Sequence, residues 1–309
     1  MKRRTIIGLG LVLMLTACSN VEQDADTLNV IRFHVMDSDV TRAVSSSDQF
    51  GSFRVVTLQH ETNETPTLFM GFSPSANTYQ GELVTYDSEH SRWNTVGTHF
   101  WPQLYYYLDF YATYPVSLPN LQRMSSNGGD GYFVGIPSYT VNSGTPDIRY
   151  AFVSQNKTVA EANGGAVTLA FHHALAQVTV LVTIDNTATV NSITIDGVCQ
   201  TGTLNMTAGA WQDLSSSATL SLSRGATAYV IPQDLQGHTV TVNYTYGGNT
   251  KEATGSLSSG MNMTQGHIYT LELSVRDTEV TLSTVSIANW TNPYANTTPP
   301  KEFTQEIEH

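Results

Sequence analysis

From Leu28 onward, apolar and polar residues alternate with a period of two in one segment after another. Ile31, Phe33 and Val35 fall on one side of the first such segment, with Arg32 and His34 on the other. Val178, Val180, Val182 and Ile184 share a face opposite Gln177, Thr179 and Thr183. Val240, Val242, Tyr244 and Tyr246 repeat the pattern, as do Tyr269, Leu271, Leu273 and Val275. Successive side chains of a strand point to opposite faces, so this alternation predicts half-buried strands of antiparallel sheets. No segment carries a convincing helical period. Turn signals separate the strands: Asn127 to Gly131, Asn142-Ser143-Gly144, Asn163-Gly164-Gly165, Asp196-Gly197, Gly247-Gly248-Asn249 and Ser258-Ser259-Gly260.

Many short strands with such punctuation indicate an all-β protein built of β-sandwiches. The chain's 309 residues exceed what one core usually supports, so two domains are expected. Lys157 to Gly165 is polar and aperiodic, as a linker or long loop would be. The expected boundary therefore lies near residue 160, giving an N-terminal sandwich over 28–160 and a C-terminal one over 161–309.

The segment before Leu28 sets the compartment. Lys2, Arg3 and Arg4 precede an apolar run, Ile6 to Leu15, too short to cross a bilayer as a helix, and this reads as a signal peptide over residues 1–17. Leu15-Thr16-Ala17-Cys18 matches the lipobox of bacterial lipoproteins, which makes Cys18 the expected lipidated first residue of the mature chain. Residues 18–27 form a polar, acidic tether, and the acyl chains on Cys18 are the expected anchor to the outer membrane. The second cysteine, Cys199, then has no disulfide partner and reads as a small packed side chain. Loss of the leader takes the formal net charge from −12 to −15 and leaves three lysines, Lys157, Lys251 and Lys301. Such a chain presents no basic stripe, which excludes nucleic acid as a partner.

Catalytic signatures are absent: there is no Gly-x-Ser-x-Gly elbow, phosphate loop, dinucleotide fingerprint or His-Glu-x-x-His, and no enzymatic activity is expected. His172 and His173 are adjacent, so in a strand they face opposite ways and cannot share a metal; no metal or cofactor is expected. The aromatic stretch His99 to Pro115 reads as a strand with Leu108, Phe110 and Ala112 toward the core and tyrosines covering the outer sheet. The competing reading is a surface platform for glycans formed by Trp93, Trp101 and the tyrosines starting at Tyr105.

Several segments, in order, resemble the fimbrillins, the pilus subunits and related surface lipoproteins of the type V pilus system. They are the lipobox and first strand, then Thr41-Arg42-Ala43, Trp101-Pro102, Leu108 to Pro115 and Asp147 to Ala151. The second half adds Leu169 to Val178, Trp211, Ile231-Pro232-Gln233 and Val285 to Trp290. The resemblance implies two transthyretin-like β-sandwiches in tandem. It also implies assembly by strand addition: a trypsin-like protease cuts the lipoprotein precursor after an arginine, the N-terminal strand leaves, and another subunit donates a strand to the groove.

Arg42 fits the cut site because it lies in a polar stretch between two strands, where a protease finds exposed backbone. Ile31, Phe33 and Val35 are then the side chains of the displaced strand. The tail Thr291 to His309 is polar and carries Pro293, Pro299 and Pro300, a poor donor segment. This favours a tip, anchor or accessory subunit over a shaft subunit, unless Val280 to Ile287 is the donor. The alternative function is a surface lipoprotein that binds glycans.

Overall fold

The computed structural model describes residues 29–37, 51–62, 64–102, 105–125, 131–162, 165–185, 187–257, 261–276, 278–290 and 303–306. Its strands begin with β1 (Arg32–Asp37), β2 (Ser52–His60), β3 (Thr67–Met70), β4 (Phe72–Ser75), β5 (Thr78–Gln80), β6 (Glu82–Asp87) and β7 (Arg92–Thr95). Next come β8 (Tyr107–Tyr114), β9 (Leu121–Ser125), β10 (Tyr132–Thr140), β11 (Arg149–Asn156), the short helix α1 (Lys157–Ala162), β12 (Ala166–His173) and β13 (Ala176–Thr183). The rest are β14 (Thr189–Asn205), β15 (Ala210–Leu222), β16 (Thr227–Val230), β17 (Thr239–Tyr246), β18 (Asn249–Ser256), β19 (His267–Arg276), β20 (Glu279–Asn289) and β21 (Phe303–Glu306).

The described residues are almost all β. Eight strands form one sheet in the order β3-β2-β6-β7-β1-β12-β11-β8, and β8 also pairs with β2, so the sheet closes on itself. Ile31, Phe33 and Val35 lie inside it with Phe53, Phe110, Leu169 and Phe171. The second sheet runs β16-β13-β19-β20-β18-β17-β14-β10-β9-β5-β4, with β15 on β14 and β21 on β20. Val178, Val180 and Val182 are buried in its main core together with Val240, Val242, Tyr269 and Leu271. A third core fills the space between the outer face of β2, β8 and β11 and the β5, β9 and β10 layer, and continues to Leu204, Ile231 and Trp290.

Several local features depart from the sequence reading. The first sheet takes in β12, which pairs with β1 and β11, so hydrogen bonding continues past the boundary expected near residue 160. The stretch read as a linker holds α1 instead. Asn156 Oδ1 accepts from the Val159 amide at 3.1 Å as an N-cap, and the Gly165 amide closes the other end on the Ala160 carbonyl at 2.7 Å. Six residues are too few for a helical period to show. The ladders β1–β12, β13–β19 and β18–β20 are parallel, a direction that side-chain alternation does not encode.

Asp196-Gly197 is not a turn. It is a bulge inside β14, where the register shifts between Ile195 and Val198 and Gly197 takes φ +80°. On one side of it β14 pairs with β17, and on the other with β10, so a single strand carries both ladders. Gly247-Gly248 is a true two-residue hairpin loop between Tyr246 and Asn249, with φ +58° and +80° as a type I′ turn requires. The turn signals at Asn127 to Gly131 and Ser258 to Gly260 lie wholly or largely outside the described residues. Finally, the tyrosine face of β8 is not an outer surface: Tyr111 and Thr113 are buried under the second layer while Leu108, Phe110 and Ala112 fill the first core.

Candidate functional site

β1 lies between β7 and β12 in the first sheet. Its alternation sends Ile31, Phe33 and Val35 inward, at 5%, 7% and 2% exposure, and leaves Arg32 and His34 exposed. The Phe33 ring meets Phe53 and Phe110 edge-on at 6.0 and 5.9 Å. Burying three such side chains contributes roughly 5 to 9 kcal/mol as an upper estimate. The backbone is held unequally. A parallel ladder joins β1 to β12 over six positions, Arg32↔Ala166 to Asp37↔Phe171. β7 meets β1 at one position, Phe33↔Trp93, with a further bridge, Val30↔Phe100, just before the strand. Between these contacts a cleft of about 1180 Å³ runs along Val30 to Val35 and is walled by Arg92 to Thr98.

The tryptophans of the competing glycan reading are core residues. Trp93 is 8% exposed and packs on Phe53 and Tyr86, each with ring centroids 5.1 Å apart; Trp101 is 6% exposed and packs on Phe110 at 5.9 Å. Neither offers an open face for a sugar ring, because the first core needs that area filled. Tyr105 is exposed, with its ring 4.5 Å from that of Tyr106. The Tyr106 phenol is pushed up to about 12, first by its hydrogen bond with Tyr105 and then by the Tyr105 charge, with Glu61 adding to it. Cys18 and Arg42 lie outside the described residues.

A second constellation lies at the end of β12. His173 and His172 face opposite ways, the first buried and the second exposed. His173 Nδ1 lies 2.9 Å from Asp147 Oδ1, and Arg149 Nε donates to Asp147 Oδ2 at 2.8 Å. The His173 ring stacks on Trp290 at 4.0 Å and 14°, and Trp290 stacks on Tyr229 at 5.2 Å and 17°. Burial alone would raise the Asp147 carboxyl; His173 and Arg149 outweigh it and hold the group below its ordinary value. Around this cluster Trp211 Nε1 donates to the Ala174 carbonyl at 2.6 Å, and Gln265 Nε2 donates to the Tyr150 hydroxyl at 2.8 Å. Gln233 clamps β14 by accepting from the Cys199 amide at 2.8 Å and donating to the Cys199 carbonyl at 2.9 Å.

These groups tie the end of β12 to β16, to β15 and to the end of β20. Among the described residues no group of three or more His, Cys, Asp or Glu side chains is placed to hold a metal ion, and no helix is long and apolar enough to cross a membrane.

The profile of the Fimbrillin-like family matches residues 41–290. No curated protein sequence matches the chain significantly. Among solved structures, a fimbrial protein from Bacteroides vulgatus is similar with a TM-score of 0.57 at 15% identity, covering 85% of this chain and 100% of that one. A protein from Bacteroides uniformis, assigned to cell adhesion, gives 0.51 at 16% identity, with 87% and 100% covered. Another with the same assignment, from Bacteroides ovatus, gives 0.50 at 16% identity, with 85% and 97% covered. At these identities the likeness concerns the fold.

Proposed function

The chain belongs to the fimbrillin-like family, a structural and adhesive family rather than an enzyme family, and on that footing we propose that it is a pilus subunit built by replacement of its first strand. Lipidation at Cys18 brings the precursor to the outer membrane. A trypsin-like protease then cuts after Arg42, β1 leaves, and an extended segment of another subunit enters between β12 and β7. The observation that carries this reading is the setting of β1, whose alternate side chains fill pockets in the first core while one backbone edge meets its neighbour at a single strand position. That is the arrangement strand addition uses: main-chain bonds for affinity, alternate pockets for specificity.

In this reading the chain is two sandwich domains, with the division at Ala174–Leu175, after β12, instead of near residue 160. The polar, proline-containing tail from Thr291 to His309 supports a tip, anchor or accessory position. Cutting alone does not free β1, because the buried side chains still hold it, so exchange should be slow until a donor competes.

The test is digestion of the lipoprotein with a trypsin-like protease, followed by sizing. One clean cut at Arg42, then oligomers, is the expected result, and Arg42→Ala should block both. Assembly by an uncut Arg42→Ala protein would overturn the reading. Cys18→Ser should release a folded protein from membranes.

A further inference from the structure

β8 carries a carboxylate on the face it buries. Asp109 shares that face with Tyr111 and Thr113, and its side chain is only 7% exposed. An ionised group costs free energy in such a place unless it is paired, and a neutral side chain would pack there without that cost. His60 Nε2 lies 3.2 Å from Asp109 Oδ1. Asp109 also lines a cleft of about 460 Å³, together with Tyr111, Tyr132 and Phe152.

Two aromatic rings flank the cleft. Phe152 stands opposite Tyr111 in the β8–β11 ladder, and their rings stack at 4.9 Å. Tyr132, at the start of β10, is 36% exposed. Arg123 braces its ring, with the guanidinium 5.9 Å from the ring centre and held by the Pro66 carbonyl at 3.0 Å and Asn77 Oδ1 at 2.7 Å. Burial first, and then the Asp109 charge and hydrogen bond, push the Tyr132 phenol up to about 12. Thr65, Thr207 and Glu64 complete the rim, and among the described residues no lysine or arginine lines the space.

We propose that this cleft binds a neutral saccharide, with Asp109 accepting hydrogen bonds from ring hydroxyls and Tyr132 and Phe152 packing on its apolar C–H face. Concave sites with aromatic walls and a few convergent polar groups are the common form of small-ligand sites. The threonine hydroxyls supply donors beside the carboxylate acceptors, a balance that suits a polyhydroxyl ligand. Two carboxylates without a lining cation disfavour acidic sugars. The inference goes beyond the pilus reading and does not depend on removal of β1.

The test uses the uncut, monomeric protein and ligand-observed NMR with a panel of neutral oligosaccharides and their sialylated counterparts. Neutral sugars should bind and sialylated ones should not. Tyr132→Ala, on a partly exposed ring, and Asp109→Asn should each weaken binding about tenfold, with melting temperatures checking the fold. Arg42→Ala should leave binding unchanged, which separates this outcome from failure of assembly. Absence of binding by every neutral sugar, binding equal in Tyr132→Ala, or competition by tetramethylammonium instead of sugars would overturn the proposal.

Discussion

β1 and the Asp147–His173–Trp290 cluster both join distant parts of the chain, yet they are held by different physics. β1 is held by apolar side chains and a backbone ladder that is complete on the β12 side and reduced to one position on the β7 side. The cluster is held by directional contacts: a half-buried carboxylate between His173 and Arg149, and three stacked rings. Apolar burial is non-directional and accepts any chain with the right alternation, whereas a hydrogen-bonded stack fits one arrangement. The first suits a strand that can be exchanged, the second a joint that stays.

The largest effect expected from this contrast is in the slot. Phe33→Ala should lower stability by about 3 to 5 kcal/mol through lost burial and the cavity between Phe53 and Phe110, measured by urea denaturation. It should also speed hydrogen exchange in β1 more than in β19. A cost below about 1 kcal/mol would mean that side chains do not hold β1, and the contrast would collapse. Next in size, Asp147→Asn should cost about 1 to 3 kcal/mol by weakening the bonds to His173 and Arg149, with no change in β1 exchange; a change there would show the regions to be coupled.

Gly197→Ala tests the bulge in β14 between its β17 and β10 ladders. Its φ of +80° and the His238 ring 3.1 Å from an added Cβ predict a loss of about 1 to 2 kcal/mol. The smallest effect is one of pH. Asp147 is held below its ordinary 3.8, so its contribution is complete above that value and is lost as pH falls through the lowered one. A native-state titration below about pH 4 should loosen the joint, and Asp147→Asn should flatten that limb.

Much of this was legible in the residues, and the reasons differ by region. The β1 alternation could be read directly, because burial on one face leaves a period of two. The segments that carry the family resemblance, Asp147 to Ala151, Leu169 to Val178, Trp211, Gln233 and Trp290, prove to be the groups that meet at the joint. Their pattern was visible and their meeting point was not, since stacking between β12 and the end of β20 is set by tertiary structure. Trp93 and Trp101 left two readings open for a related reason: aromatic residues serve a core and a sugar platform equally well, and only burial separates the two. Asp109 was hidden inside an aromatic run that alternation already explained.

The parallel pairing of β1 with β12 also fixes an order of events. β1 precedes every other described strand, but Ala166 to Phe171, its ladder partners, come last in the first sheet. Contacts between such distant segments form late, after the loop-closure entropy has been met. Until β12 arrives, the newly exported chain holds an unfilled seam and an apolar strand with nowhere to dock, and strands in that condition pair with whatever edge they meet. In the proposed assembly, timing therefore matters as much as affinity: a subunit would have to close over its own strand before it met a neighbour's.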